Sequence, residues 1–217
     1  MNLEDRFAYP SFRPGQRELA QRVYEACSSG QTLVAGAMSG FGKTAAVLTG
    51  ALTAAEETGN RVVYTCRTKR QIHRVVEEVS RLQKKHPVKA VPILSKYDYC
   101  LLRRQRPVPQ ESFGWYCSFN VSNNLCSYFL NVSLVPDDLD RAVQRVIHTT
   151  PAHSELLKEA ESIHVCPYEI ARLAVAQAEM SVIPYHYVSI HPRRRSSSTA
   201  ALLRSGRPSW SLMRLTT

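Results

Sequence analysis

The stretch that decides the fold is "GQTLVAGAMSGFGKTAAVLTGALTAAEETGN", residues 30–60. A short apolar run, Leu33, Val34 and Ala35, leads into a glycine-rich turn, and a helical pattern follows that stops at Gly59. The predicted order is strand, loop, helix. From Ala37 to Thr44 the loop reads A-M-S-G-F-G-K-T, a phosphate-loop pattern with alanine at the first glycine position. Gly40 and Gly42 permit backbone angles that turn several N–H groups inward at a helix N-terminus, where the helix dipole also favours an anion. In such a loop Lys43 reaches the β- and γ-phosphates and the Thr44 hydroxyl holds Mg2+. Ala37, Ser39, Gly40, Phe41, Gly42, Lys43 and Thr44 are therefore the candidate lining of an ATP site, with Lys43 and Thr44 as its catalytic groups.

The flanking sequence extends the pattern. In "NRVVYTCRTKRQIHRVVEEVSRLQKK", residues 60–85, Val62, Val63 and Tyr64 suggest a buried strand. From Gln71 onward, Ile72, Val75, Val76 and Val79 recur at helical spacing. The junction carries Arg67, Thr68 and Lys69 at a helix N-terminus, which suits a phosphate but also suits an ordinary solvated turn. Upstream, in "YPSFRPGQRELAQRVYEAC", residues 9–27, Pro14 is well placed to start a helix. Residues 1–95 thus read as βαβα behind an N-terminal helix, the beginning of a parallel sheet.

These motifs resemble those of superfamily 2 helicases, in which alanine commonly opens the phosphate loop. Residues 9–27 resemble the adenine-recognising Q motif, and the resemblance implies that Gln16 bonds the adenine edge and Arg13 supports it. Residues 66–71, C-R-T-K-R-Q, resemble motif Ia. That likeness implies contacts from Arg67, Thr68, Lys69 and Gln71 to a DNA backbone.

Six cysteines in a chain without a secretory start favour metal or cluster ligation over disulfides. Cys27 and Cys66 look like small core residues. Cys100, Cys117, Cys126 and Cys166 are spaced C-x16-C-x8-C-x39-C, which is neither a zinc-finger nor a ferredoxin pattern. Spacing alone leaves open whether they share a metal. Their surroundings, "LSKYDYC", "GWYCS", "NNLCSYF" and "HVCPYEIARLAVAQAEMSVIPYHYVSI", resemble the XPD family of iron–sulfur DNA helicases over roughly residues 8–190. In the last segment Cys166-Pro167-Tyr168, a helix through Ala178, an apolar strand and the Pro184-Tyr185 turn follow in family order.

The resemblance implies a [4Fe–4S] cluster on Cys100, Cys117, Cys126 and Cys166, in an insertion that helps separate the duplex and touches single-stranded or forked DNA. Four thiolates suit such a cluster. Tyr97, Tyr99, Trp115, Tyr116 and Phe119 offer either base-stacking surfaces or a small core around the cysteines, and core packing is the expectation. The run RRQR at 103–106 is a candidate phosphate patch or a solvated surface. Between the third and fourth cysteines the pattern is helical, with Asp137 or Asp138 expected to cap one helix and Ser154 another.

The expected fold class is α/β: a partial RecA-like P-loop parallel sheet with a small cysteine-rich iron–sulfur insertion. The RecA-like part covers residues 1–95 and resumes at 167–190, and the insertion with its helical spacer covers 96–166. Residues 191–217 form a basic tail, expected to be disordered or aberrant. That tail holds six arginines and no acid, so the net charge of +10 falls to 22 basic against 18 acidic residues before it. The body is therefore only mildly basic. No run of eighteen apolar residues occurs, so no membrane partner is expected, and the cytoplasm, or the nucleus of a eukaryote, is the expected location.

Turnover needs a Walker B carboxylate and a second RecA domain with arginine fingers. The last acidic residue is Glu179, ahead of the position where the family's D-E-A-H motif belongs. "VSLVPDD", residues 132–138, is a poor substitute, because Pro136 disfavours a central strand. The expected function is therefore the ATP-, DNA- and cluster-binding front of an XPD-like helicase, unable to hydrolyse ATP or unwind without the remainder. Two alternatives are a non-catalytic nucleic-acid-binding P-loop module and a nucleotide-binding protein with a structural zinc site.

Overall fold

The structure, a computed structural model, describes residues 2–185, Tyr187 and 210–213. A short helix α1 (Leu3–Arg6) precedes α2 (Gln16–Ser29) and α3 (Lys43–Thr58), followed by strand β1 (Arg61–Cys66) and helix α4 (Lys69–Gln83). After β2 (Ala90–Pro92) comes a helical region: α5 (Lys96–Tyr99), α6 (Leu101–Gln105), α7 (Phe113–Ser122), α8 (Ser127–Leu130), α9 (Pro136–Thr149) and α10 (His153–Ser162). Helix α11 (Pro167–Gln177) then returns the chain to β3 (Met180–Pro184), and β4 is Trp210–Met213. The described strands form one parallel sheet in the order β2-β3-β1-β4.

The central strand β1 reads RVVYTC and is buried from Val62 to Cys66, as a parallel strand covered on both faces must be. It pairs with β3 from Val62↔Met180 to Cys66↔Pro184, and with β4 from Arg61↔Trp210 to Tyr64↔Met213. Helix α4 lays Ile72, Val75, Val79 and Leu82 on this sheet, four apolar positions at helical spacing. Its start is fixed by a capping box in which Thr68 and Gln71 satisfy each other's backbone N–H groups.

Helix α3 is buried from Ala45 through Ala54, a stretch of apolar and small residues without a charge. The Thr49 and Thr53 hydroxyls donate back to the carbonyls of Ala45 and Thr49, at 2.9 and 2.8 Å, so no polar group is stranded. Helix α2 crosses so near that a Cβ at Gly50 would lie 2.2 Å from the Ala20 carbonyl oxygen. On the far side Arg6 of α1 is buried against Glu56 of α3 as an ion pair.

Residues 96–166 share the apolar core of the sheet: Tyr99, Leu101, Tyr128, Leu139, Val143, Ile147 and Leu157 join the cluster that holds β1 and β3. Val132–Asp138 runs through a single 3-10 turn into α9, whose first residue is Pro136, so this segment is no strand.

Several local expectations give way. Leu33–Ala35 is not a strand, and Val34 is 92% and Met38 83% exposed. A strand exists only through a ladder partner, and the described edge of β1 that faces away from β3 pairs with β4 instead. Helix α2 begins at Gln16 rather than at Pro14, because Gly15 in the left-handed region (φ 79°) serves as its cap. Asp137 and Asp138 lie in the first turn of α9 instead of capping it, where their charge still suits the dipole. Ser154 lies inside α10, and the Glu155 carboxylate accepts the Ala152 N–H at 2.9 Å in its place. Strand β2 was not foreseen, being three residues with a proline at its end. Within the tail expected to be disordered, Trp210–Met213 forms β4, and the other tail residues lie outside the described ones.

Substituting Gly50→Ala should force α2 and α3 apart at a backbone contact that cannot rotate away. We expect a loss of about 1–3 kcal/mol in urea unfolding with the far-ultraviolet spectrum retained.

Candidate nucleotide and cysteine sites

The phosphate loop folds around its own carbonyl groups. Gly40 and Gly42 take φ of 81° and 83°, in the left-handed region, and Gly42 caps α3. The Lys43 ammonium donates to the carbonyls of Ala37 at 2.7 Å and Met38 at 3.1 Å. Arg13 donates to the Gly40 carbonyl at 3.5 Å, and the Gln16 amide donates to those of Phe41 at 2.8 Å and Gly42 at 3.4 Å. With these carbonyls turned to side chains, the first-turn N–H groups of α3, which have no intrahelical acceptor, remain for an anion.

Gln16 also ties its own helix to the loop. It is buried, its amide oxygen accepts the Arg13 N–H at 2.9 Å, and a Cβ at Gly42 would come within 2.2 Å of its Nε2. Phe41 packs its ring against Gly15, where a Cβ would meet it at 3.1 Å. The segment from Arg13 to Gln16 and the loop from Ala37 to Lys43 are thus one hydrogen-bonded unit. Burial pushes the pKa of Tyr64 on β1 up to about 12, with Thr44 acting in the opposite sense. Ser39 is exposed beside this unit.

At the second turn, Arg67, Thr68, Lys69 and Arg70 are all exposed. Thr68 and Gln71 are committed to the capping box, with the Gln71 side-chain oxygen accepting from the N–H groups of Arg67 at 2.9 Å and Thr68 at 3.1 Å. Lys69 is paired with the Asp98 carboxylate of α5. Burial opposes ionisation of Asp98, yet Lys69 and the Ser95 bonds together hold its pKa below the ordinary range. Among the residues nominated here, Arg67 is the group freest to meet a ligand.

Of the four nominated cysteines, Cys100, Cys126 and Cys166 occupy the N-cap positions of α6, α8 and α11, and Cys117 lies within α7. The Cys166 N–H donates to the Tyr128 carbonyl at 2.9 Å, joining the third and fourth cysteine segments. Burial raises the pKa of Cys100, Cys117 and Cys166, the last to about 12, and the Cys126 charge raises each further. Backbone N–H groups of Arg103 and Leu102 toward Cys100, and of Glu169 and Tyr168 toward Cys166, act in the opposite sense. Among the described residues, no three His, Cys, Asp or Glu side chains gather at metal-binding spacing. Cys66 is buried in the core, and Cys27 packs against it half-buried.

The aromatic residues divide. Tyr99 is core, and Tyr97 sits edge-on to Phe113 at 5.3 Å with the Arg103 guanidinium 3.9 Å above its ring. Trp115 and Phe119 overturn the core expectation: they are 69% and 45% exposed and stack on each other at 5.1 Å. They occupy adjacent turns of α7, a helix apolar on all sides with too little around it to cover them. Arg104 and Arg106 of the RRQR run are exposed.

One participant, Asp98, escaped the sequence reading, although Ser95-x-x-Asp98 is a helix-capping signature.

Because burial favours the neutral thiol, the stabilisation that Cys166 contributes to the metal-free chain is complete below the unfolded thiol pKa of about 8.5 and is lost as pH rises toward 12. At pH 8 its alkylation by iodoacetamide in the metal-free folded chain should be at least about 100-fold slower than in urea, read by mass spectrometry.

The chain matches the DEAD_2 family over residues 64–204 and the DEAD/DEAH box helicase family over residues 13–104. It is 24% identical over 109 residues to the ATP-dependent DNA helicase CHL1 of Eremothecium gossypii, covering 50% of this chain and 14% of that protein. It is 23% identical over 143 residues to the regulator of telomere elongation helicase 1 homolog of Drosophila ananassae, covering 65% of this chain and 14% of that one. The Schizosaccharomyces pombe chl1 helicase is 24% identical over 130 residues, 58% of this chain and 15% of the relative. The chain thus spans about one seventh of the length of these relatives. No helix among the described residues is long and apolar enough to cross a membrane. With the DEAD_2 match covering more than half its length and the helicase motifs in order, the chain belongs to the DEAD_2 helicase family, on its XPD-type branch.

Proposed function

We propose that these residues form the nucleotide- and DNA-binding front of an XPD-type DNA helicase. The observation that carries the reading is the unit of Gln16, Gly42 and Lys43: a glycine loop at the start of a buried helix, locked to an adenine-type motif through the Gln16 amide. ATP phosphates would sit on the first-turn N–H groups of α3, with Lys43 leaving the Ala37 and Met38 carbonyls to meet them. Thr44 would hold Mg2+ through its hydroxyl. Arg13 and Gln16, bonded to the loop carbonyls, would border the base end of that site. The Arg67–Gln71 turn would take the backbone of single-stranded or forked DNA, led by Arg67.

Cys100, Cys117, Cys126 and Cys166 would hold a [4Fe–4S] cluster. Their half-buried positions, the Cys166 N–H bond to the third cysteine segment and the Arg103 N–H on the Cys100 sulfur support that assignment. Bound there, the cluster would supply a four-point crosslink between α6, α7, α8 and α11 and neutralise thiolate charge. The short helices that carry the four sulfurs would have to close on one another to hold it.

Turnover is a different matter. Mg2+-assisted attack on the γ-phosphate needs a carboxylate beyond Thr44 and an arginine from a second domain. We assign neither to these residues, and hydrolysis and unwinding require the remaining helicase motifs.

Binding of a fluorescent ATP analogue should fall at least about tenfold in Lys43→Ala, the loss of a charged hydrogen bond to phosphate. Tight binding retained in that variant would defeat the reading. The 217-residue chain should show no DNA-stimulated phosphate release. Anaerobically purified protein should absorb visible light, and Cys166→Ser should remove that colour. A colourless protein that carries zinc would instead favour a structural zinc site.

A further inference from the structure

Lys69 is nominated to meet a DNA phosphate, yet its ammonium is already bound to the carboxylate of Asp98. The two partners are not equally free. The Lys69 side chain is 60% exposed and Asp98 only 12%. Asp98 is held from several directions: its Oδ2 accepts from the Ser95 hydroxyl at 2.6 Å and from the Ser95 N–H at 3.3 Å. Its own N–H donates to the Ser95 hydroxyl at 3.3 Å. The acid is therefore a fixed part of the fold, whereas the lysine is a long, mobile chain on the surface. The exposed turn carries Arg67, Lys69 and Arg70, and Asp98 is the one carboxylate paired with it among the described residues.

We propose that Asp98 is a built-in competitor for phosphate at the Arg67–Lys69 turn, holding Lys69 until a nucleic-acid phosphate takes its place. The inference rests on reading that turn as a DNA contact, and goes beyond it by assigning a residue that governs the contact. A carboxylate and a phosphate diester both present oxygen acceptors to an ammonium, so exchange needs no rearrangement of α4. It does have a structural consequence. Asp98 lies in α5, and α5 ends at Cys100, so release of Lys69 unties the turn from the segment that opens the helical region.

The test uses the full 217-residue chain and a fluorescent oligo(dT) at fixed salt. Asp98→Asn removes the charge and keeps an acceptor for the Ser95 N–H, and Asp98→Ser serves the same purpose should the asparagine variant lose its far-ultraviolet spectrum. Either should tighten oligonucleotide binding about two- to fivefold, the scale of an exposed ion pair. In a Lys69→Met background the same change should have no effect. An equal gain in both backgrounds means that Asp98 merely repels DNA, and overturns the proposal, as does an unchanged or weakened affinity. Arg67→Ala tests the underlying reading separately: if it leaves affinity unaltered, the turn is not a DNA contact at all.

Discussion

Parallel pairing of β1 with β3 is the constraint on which the other elements depend. The register from Val62↔Met180 to Cys66↔Pro184 requires the chain to leave the sheet after β2, build the whole helical region, and come back between β2 and β1. Loop-closure entropy makes such an excursion less costly than its length suggests, since doubling a loop adds only about 0.6 kcal/mol. What it does demand is order at the two points of departure and return. Those points are Cys100, directly after α5, and Cys166, directly before α11. The Cys166 N–H bond to the Tyr128 carbonyl, together with Tyr99 packed 6.3 Å from Tyr168, already draws the roots together.

The same economy governs the phosphate loop. A loop that must aim N–H groups outward has to satisfy its carbonyls elsewhere, or carry unpaired acceptors. Lys43, Arg13 and Gln16 perform that service, two of them from a segment more than twenty residues upstream. The loop is then shaped before any ligand arrives, and its shape comes from side chains instead of from a strand beneath it.

What could be read in advance follows from which forces are local. β1, α3, α4, α11 and β3 were legible because burial imposes a period or an unbroken apolar run on each. Leu33–Ala35 has an equally good apolar run and failed, because a strand is a relation between two segments and sequence describes only one of them. Helix starts slipped by two residues at Pro14, Asp137 and Ser154 for a related reason. Several nearby groups can satisfy the same N–H donors, and tertiary packing selects among them. At the sites, residue types identified the glycine loop and the four cysteines. The partner that holds Lys69, namely Asp98, comes from another element and leaves little periodic trace. Trp115 and Phe119 were misjudged because apolar character does not reveal how much neighbouring surface exists to bury it.

Gln16 and Gly42 carry one more implication, for how such a domain can evolve. Any side chain at position 42 would strike the Gln16 amide, and any shortening at position 16 would release the Phe41 and Gly42 carbonyls. Neither site can drift alone. A lineage that altered residue 16 would have to rebuild the Phe41–Gly42 turn in the same step, so the start of α2 and the start of α3 are inherited as a single trait.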